Sequence, residues 1–453
     1  MANSNSRAQW SSHWIFIMAA TGSAVGLGNI WKFPYIMGQN GGGAFVLIYL
    51  ACIFLIAMPI LIAEIILGRR GQANPITSIQ HLAAESQQKK AWQCFAWMGV
   101  TCGIIILSFY SVVAGWIIAY IGEMSNSNLR TLPSEDISAK FGTLLSDPKR
   151  MLIWHSVFMV LTTSVVALGI KKGLEKATKI LMPALLFMLL ALFIYSMTSA
   201  EFAKGAAFML NADFTKINLS VVLSALGHSF FTLSLGMGTI MAYGSYLSKK
   251  TSILRVSLYI VIADTLIAIL AGLIIFPIVF SIGLEPSAGP GLVFSTLPTA
   301  FAQMPAGPIW GTLFFILLLF AAWTSAISMI EPAVAYCSEK TRLTRKSSAI
   351  LIGGIIWGLG ILTVFSFNTW AFSFEFLGIQ KNAGFFDIFD ILTSNFMLPL
   401  GGALIAIFTG WVVKKQYTQE ELASSHTLFS IWLFLIKFVS PIAVIIILVY
   451  AII

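Results

Sequence analysis

Two stretches of this sequence place hydrogen-bonding groups where an apolar helix should have none. The first, TGSAVGLGNIWKFP (Thr21 to Pro34), carries Gly22, Gly26, Gly28, Asn29, Lys32 and Pro34 inside an apolar run. The second, FFTLSLGMG (Phe230 to Gly238), sets Thr232 and Ser234 beside Gly236 and Gly238. Unwinding a helix in lipid costs several kcal/mol for each orphaned N–H or C=O, so a break persists only where something satisfies the backbone. A freed N-terminal half-helix end offers N–H groups and partial positive charge to a carboxylate. Freed carbonyls are hard oxygens that suit Na⁺ or an ammonium group. Gly26 and Gly28 permit close backbone approach, Asn29 adds an amide oxygen, and Thr232 and Ser234 add hydroxyls. Such a set fits a zwitterion held by backbone at both ends. The competing reading, glycines that merely ease helix packing, weakens once the second stretch stands beside the first.

Charges inside apolar runs come next. Glu64, Asp264, Glu331 and Asp390 fall within them, and Lys32 lies near the outer part of the first. Each is costly in hydrocarbon and needs a partner or water. An acid at Asp264 would strengthen a hard-cation site, and Lys32 could pair with Asp390 across an outer vestibule. Structural pairing or solvation in a cavity is the alternative, above all for Glu64.

The chain that must position these groups is 58% hydrophobic and 10% charged, the composition of a polytopic membrane protein. Eleven spans are expected, near 12–38, 41–68, 92–122, 151–170, 177–198, 218–247, 252–282, 308–338, 346–368, 384–413 and 427–452. The first is too long and Gly-rich for a cleaved leader. EPSAGPGLVFSTLPTAFAQMPAGP (Glu285 to Pro308) is too broken to span and reads as a re-entrant or capping loop. With the N-terminus inside, eighteen Lys and Arg fall on inner segments and seven on outer loops, which orients the chain N-terminus in, C-terminus out. The net charge of +9 therefore reflects topology, not nucleic-acid binding. Cys52, Cys94, Cys102 and Cys337 lack ligand spacing and read as small core residues.

The segments SAVGLGNIWKFP, NGGGAF, FYSVVAGW, FFTLSLGMG and AAWTSAISMIEP, in this order, resemble the neurotransmitter:sodium symporter family, in its bacterial amino-acid branch. The likeness runs from Arg7 to the last span. It implies an all-α polytopic protein with a LeuT-like fold: one transmembrane domain over 1–453, a 5+5 inverted repeat (12–198 and 218–413), and an eleventh helix at 427–452. Helices 1 and 6 would be unwound at mid-membrane. Their five-span separation also suggests opposed halves, although the principle of paired broken helices was itself drawn from this family.

The resemblance assigns roles. One sodium would sit among the Ala24 carbonyl, Asn29, Thr232 and Asp264. A second would take the carbonyls of Gly22, Val25 and Ala321 and the hydroxyls of Thr324 and Ser325. The substrate carboxylate would meet the N–H groups of Leu27 and Gly28 and the Tyr110 hydroxyl. Its ammonium would meet carbonyls of Ala24, Phe231 and Thr232 and the Ser234 hydroxyl. Ser23, Ile106, Phe231, Met237, Ser325 and Met329 would line the side-chain pocket. Tyr110, Phe231, Lys32 and Asp390 would form the outer gate; Arg7, Trp10, Ser245, Tyr246 and Glu339 the inner one. GLEKATKILMP (Gly173 to Pro183) matches a G-x₉-P arrangement linked to unwinding of span 5.

Departures sharpen the expectation. Lys32 replaces the usual Arg and loses its bidentate fork. Gly26 stands where monoamine transporters have Asp, which favours amino acids over amines. Asp264 replaces an Asn, and Ala268 stands where chloride-dependent members have Ser, so chloride independence is expected. His228 replaces a Gln and reads as a satisfied packing histidine. Met237 and Met329 can repack around large side chains. The expected activity is sodium-coupled import of hydrophobic and aromatic L-amino acids by alternating access, with small neutral amino acids as the alternative and a channel or ligand sensor behind both. No covalent chemistry is expected, so the chain is not an enzyme. Two sodium ions falling through about 100 mV would release about 4.6 kcal/mol, over three decades of accumulation at about 1.4 kcal/mol per decade. The expected partners are an amino acid, sodium and membrane lipid, with no chloride and no nucleic acid, in a monomer of the bacterial plasma (inner) membrane.

Overall fold

The structure, a computed structural model, describes residues 8–126, 131–283 and 291–450. Among the described residues nine helices are long and apolar enough to cross a membrane: Gly43–Gly71, Lys90–Ser125, Pro148–Ala167, Ile170–Met197, Ile253–Phe280, Gly307–Lys340, Arg345–Ser366, Gly384–Val412 and His426–Tyr450. They correspond to spans 2 to 5 and 7 to 11 of the sequence. The other two are interrupted. Span 1 consists of His13–Ala24 and Gly28–Gln39, bent by 61°. Span 6 consists of Leu219–Thr232 and Thr239–Gly244.

Local chemistry explains both breaks. Val25 is extended (φ −71°, ψ 99°), so the helix ladder ends at Ala24. In span 6, Ser234, Gly236 and Gly238 all take positive φ (54°, 85° and 75°). Glycine adopts that region without penalty; serine does not. The Ser234 hydroxyl compensates by donating to the Ser23 carbonyl at 2.9 Å, which ties the two breaks together. Gly236 is also required by space: a Cβ there would lie 2.5 Å from the Leu398 carbonyl oxygen of span 10.

Spans 3 and 8 make the most extensive helix contact and form the central pillar around the breaks. Their most apolar windows are 78% and 72% buried, against 33% to 39% for spans 4, 5, 9 and 11, which therefore form the outer shell. The connections carry structure that the sequence reading left as loops: helices Pro75–Glu85, Ser134–Ser146, Phe202–Leu210 and Lys415–Leu422. A hairpin pairs Phe374–Phe376 with Ile379–Lys381. Its Leu377–Gly378 turn has φ of 50° and 73°, the conformation that matches strand twist. The described part of the expected capping loop folds as Leu292–Thr296 and Leu297–Gln303. It is buried, and Tyr120 donates to the Phe294 carbonyl at 2.6 Å. Cys52, Cys102 and Cys337 are buried as expected; Cys94 is exposed, because the turn Lys90–Trp92 leaves the start of span 3 at the surface.

A buried ion pair anchors the end of span 2. Arg69 Nε donates to Glu421 at 2.6 Å and its Nη1 to the Thr251 carbonyl at 2.6 Å, with Arg69 3% and Glu421 7% exposed. Glu421→Ala would strand a buried guanidinium, a loss of about 3 kcal/mol. A lowered melting temperature is expected, largely restored in the Arg69→Met/Glu421→Leu double variant. A Glu421→Ala protein that melts like the parent would show the pair to be idle.

Candidate substrate and sodium site

Where the two breaks meet, side chains from spans 1, 6 and 7 converge on one carboxylate. Asn29 Nδ2 donates to Asp264 Oδ1 at 2.8 Å, and the Thr232 hydroxyl lies 3.1 Å from both Asn29 Oδ1 and Asp264 Oδ1. Asn29 and Asp264 are fully buried and Thr232 is 1% exposed. The Gly26 N–H donates to Asn29 Oδ1 at 3.2 Å, and the Tyr49 hydroxyl approaches Asp264 Oδ2 at 3.4 Å. Of the first expected sodium set, Asn29, Thr232 and Asp264 thus share one cluster, with Ala24 on the cavity beside it.

The second set is brought together by span 8. The Ser325 hydroxyl faces the carbonyls of Gly22, Ser23 and Val25 at 3.3, 3.2 and 3.3 Å. The Thr324 hydroxyl lies 3.1 Å from the Ala321 carbonyl. Hydrogen-bond arithmetic matters here. A serine hydroxyl has one proton, so with Ser234 also donating to the Ser23 carbonyl three buried carbonyls share two hydroxyl donors. The surplus of negative oxygen is what a small hard cation would satisfy. Among the described residues no group of three or more His, Cys, Asp or Glu gathers. Carbonyl and hydroxyl oxygens are the donor type that suits a hard cation.

All twelve residues expected around the substrate line one cavity, and Gly26 joins them: Ser23, Ala24, Leu27, Gly28, Ile106, Tyr110, Phe231, Thr232, Ser234, Met237, Ser325 and Met329. Span 3 supplies Ile106 and Tyr110, and span 8 supplies Ser325 and Met329. The Leu27 N–H donates to the Tyr110 hydroxyl at 3.4 Å, so both groups expected at a carboxylate face the same point. The cavity holds about 10 Å³, the room of a single water.

Above it opens a larger cavity of about 390 Å³, lined by Lys32, Tyr110, Phe231, Lys381 and Asp390 among others. The expected Lys32–Asp390 pair is not formed. Lys32 Nζ instead sits 4.9 Å from the Phe231 ring centroid, and Asp390 Oδ1 accepts from Ser394 at 2.8 Å. A cation over an aromatic face gains attraction without crossing the cavity.

At the opposite end, Trp10 donates its N–H to the Tyr246 carbonyl and its indole N–H to the Tyr243 carbonyl, both at 3.1 Å. Ser245 turns back to the Ala242 carbonyl at 2.6 Å. Glu339 accepts from Asn74 at 2.7 Å; Arg7 lies outside the described residues. The sequence singles out Glu64 and Glu331 as acids within apolar runs but not the partners that they and Glu175 find. Glu331 accepts from Tyr246 at 2.9 Å and is paired with Arg345. Glu175, inside the G-x₉-P segment, accepts from both the N–H and hydroxyl of Ser11. That segment is wound here, as the π-helical turn Ile170–Glu175 followed by Lys176–Met197. Glu64, fully buried, accepts from the N–H groups of Gly236 at 2.7 Å and Met241 at 3.3 Å. It satisfies the break in span 6 from span 2. Its only signal in sequence was an acid within an apolar run.

His228 corrects an expectation. It packs against Phe33 and Tyr49 with centroids 5.7 and 5.6 Å away, yet neither ring nitrogen has a hydrogen-bond partner. The aromatic neighbours fill the space that a polar partner would need.

Gly26 cannot accept a side chain without disturbing the site: a Cβ would lie 2.7 Å from Ser325 Oγ and 3.1 Å from the Tyr110 hydroxyl. Gly26→Ala should raise the sodium concentration for half-maximal substrate binding about tenfold or more, the scale on which displaced supporting groups weaken a metal site. Sodium titration of substrate binding reads this, and an unchanged midpoint would separate Ser325 from the ion.

Comparison with known proteins agrees with this architecture. The sequence profile of the SNF or "Sodium:neurotransmitter symporter family" matches residues 7–143 and 145–453. The chain is 38% identical to the sodium-dependent transporter YhdH of Bacillus subtilis, over 97% of this chain and 96% of that one. It is 27% identical to the mouse sodium- and chloride-dependent neutral and basic amino acid transporter B(0+), over 72% and 61%. A crystal structure of MhsT in complex with L-phenylalanine superposes with a TM-score of 0.89 at 43% identity, covering 98% of this chain and 100% of that one. With its broken spans 1 and 6 and its predominantly helical LeuT-type fold, this chain is a transporter and not an enzyme: it belongs to the sodium:neurotransmitter symporter family.

Proposed function

We propose that this protein carries hydrophobic and aromatic L-amino acids inward together with two sodium ions, without chloride. The space at Gly26 carries the reading. With Ser325 Oγ 2.7 Å from any Cβ at that position, the protein has no room for an acid of its own beside the half-helix N–H groups. The carboxylate must come with the substrate. The apolar walls at Ile106, Phe231, Met237 and Met329 favour an apolar side chain, and the similar MhsT was crystallised with L-phenylalanine. Asp264 supplies the first sodium with a buried negative charge, the service that an anion would otherwise perform.

The cycle follows from the geometry. Sodium pairs with the oxygen surplus of both clusters and holds the breaks in place. Substrate enters through the cavity of about 390 Å³ and parts Met237, Met329 and Phe231, since the pocket holds only about 10 Å³. Methionines accommodate this without backbone movement. Tyr110 and Phe231 then close over the ligand, which binds one state better than the other and so shifts the population. The basic-residue bias supports an orientation with the Trp10 end on the inner side of a bacterial plasma membrane and the C-terminus outside. The small pocket also favours a second reading, transport of small neutral amino acids.

Binding of labelled L-tryptophan to the purified protein in NaCl, sodium gluconate and KCl tests the proposal. Binding is expected in both sodium salts and not in KCl, with competition by phenylalanine and leucine stronger than by glycine or alanine. Binding in NaCl alone would remove the role given to Asp264, and the reverse competition order would move the substrate to small amino acids. An Asp264→Asn/Ala268→Ser variant should regain sodium-dependent binding only when chloride is present.

A further inference from the structure

A cleft of about 710 Å³ opens between spans 4 and 9, and none of its lining residues belongs to the transport site. Its cause lies in the glycine pair Gly353–Gly354. At Gly353 the walls touch: a Cβ there would lie 2.4 Å from Thr163 Oγ1 of span 4. At Gly354 nothing lies within 4 Å of the Cβ position, so the missing side chain leaves open space. Met159, Val160, Ile350 and Trp357 make the remainder of the wall apolar. Trp357 is fixed by its indole N–H, which donates to Ser156 Oγ at 2.9 Å.

One end of this cleft is cationic. Lys346, at the start of span 9, lines it together with Leu168, at the end of span 4. The turn after Leu168 packs on Arg345, whose Nε donates to the Val166 carbonyl at 3.1 Å and whose Cδ lies 3.7 Å from the Cβ position of Gly169. That turn runs directly into Lys171 and Lys172. Arg345 is committed to the buried Glu331. Lys171, Lys172 and Lys346 are exposed and enter no ion pair among the described residues. The outward walls belong to two of the least buried spans, so the cleft faces lipid. The basic-residue bias puts its cationic end in the inner leaflet, whose surface potential is negative.

We propose that this cleft binds one anionic glycerophospholipid, with an acyl chain along Gly354 and the phosphate at Lys346, flanked by Lys171 and Lys172. Shape and charge are complementary to that ligand: an apolar slot closed by unpaired cations at headgroup depth.

The test uses the full-length protein, stripped of lipid in detergent and titrated with phosphatidylglycerol or phosphatidylcholine of identical chains, with bound lipid counted by native mass spectrometry. Retention of one phosphatidylglycerol is expected to exceed that of phosphatidylcholine by roughly fivefold for each lysine engaged. Lys346→Glu should erase the preference. Gly354→Leu, whose Cβ would have no atom within 4 Å and whose side chain would take up open space, should reduce retention of both lipids. Sodium-dependent tryptophan binding and melting temperature should stay unchanged in both variants, because neither position touches the transport site. Equal retention of the two lipids by the parent protein, or full retention by Gly354→Leu, would overturn the proposal. So would a dimer that Gly354→Leu dissolves, since the occupant would then be a second copy of the chain.

Discussion

Everything in this molecule depends on how backbone groups are satisfied where two helices stop inside an apolar environment. A helix interior answers that demand with its own ladder; a break must find other partners. Here the partners come from neighbours at fixed places. Glu64 serves Gly236 and Met241, Ser234 serves Ser23, and Asn29 serves Gly26. The carbonyls of Gly22 and Val25 have only the proton of Ser325 to share, and Ser23 competes for it as well. Of these partners Ser325 comes from span 8 and Glu64 from span 2, while Ser234 and Asn29 belong to the broken spans themselves.

The same constraint links specificity to packing. Because Gly26 is hemmed in by Ser325 and Tyr110, the chemistry that completes the site must arrive with the ligand. Because Gly236 sits against the Leu398 carbonyl, the break in span 6 is fitted to span 10 backbone to backbone. Larger residues at either place would alter binding and fold together.

Much of this was legible in the sequence. Long apolar runs are the clearest signal: among the described residues nine helices match expected spans, and broken helices lie within the expected ranges of spans 1 and 6. The broken centres could be read from Gly, Ser, Thr and Asn in apolar surroundings, and the motif order grouped the twelve pocket residues that the structure gathers. What remained hidden was pairing between distant segments. Nothing local says that Glu331 meets Arg345 and Tyr246, that Glu175 meets Ser11, or that Lys32 prefers the Phe231 ring to Asp390. Such choices depend on relative helix placement, which no spacing rule encodes. His228 shows the same limit: composition suggests a hydrogen-bonded histidine, whereas packing encloses it in aromatic rings.

The two breaks are not equivalent in their debts. Span 6 is settled internally, since the Glu64 carboxylate occupies its free N–H groups whatever else is present. Span 1 is settled only in part, because the protons of Ser325 and Ser234 cannot serve three carbonyls. A cation leaving these carbonyls would take solvation from span 1. The carbonyl end of the half-helix from His13 to Ala24 is one hydroxyl proton short, a shortfall that the fold itself leaves open.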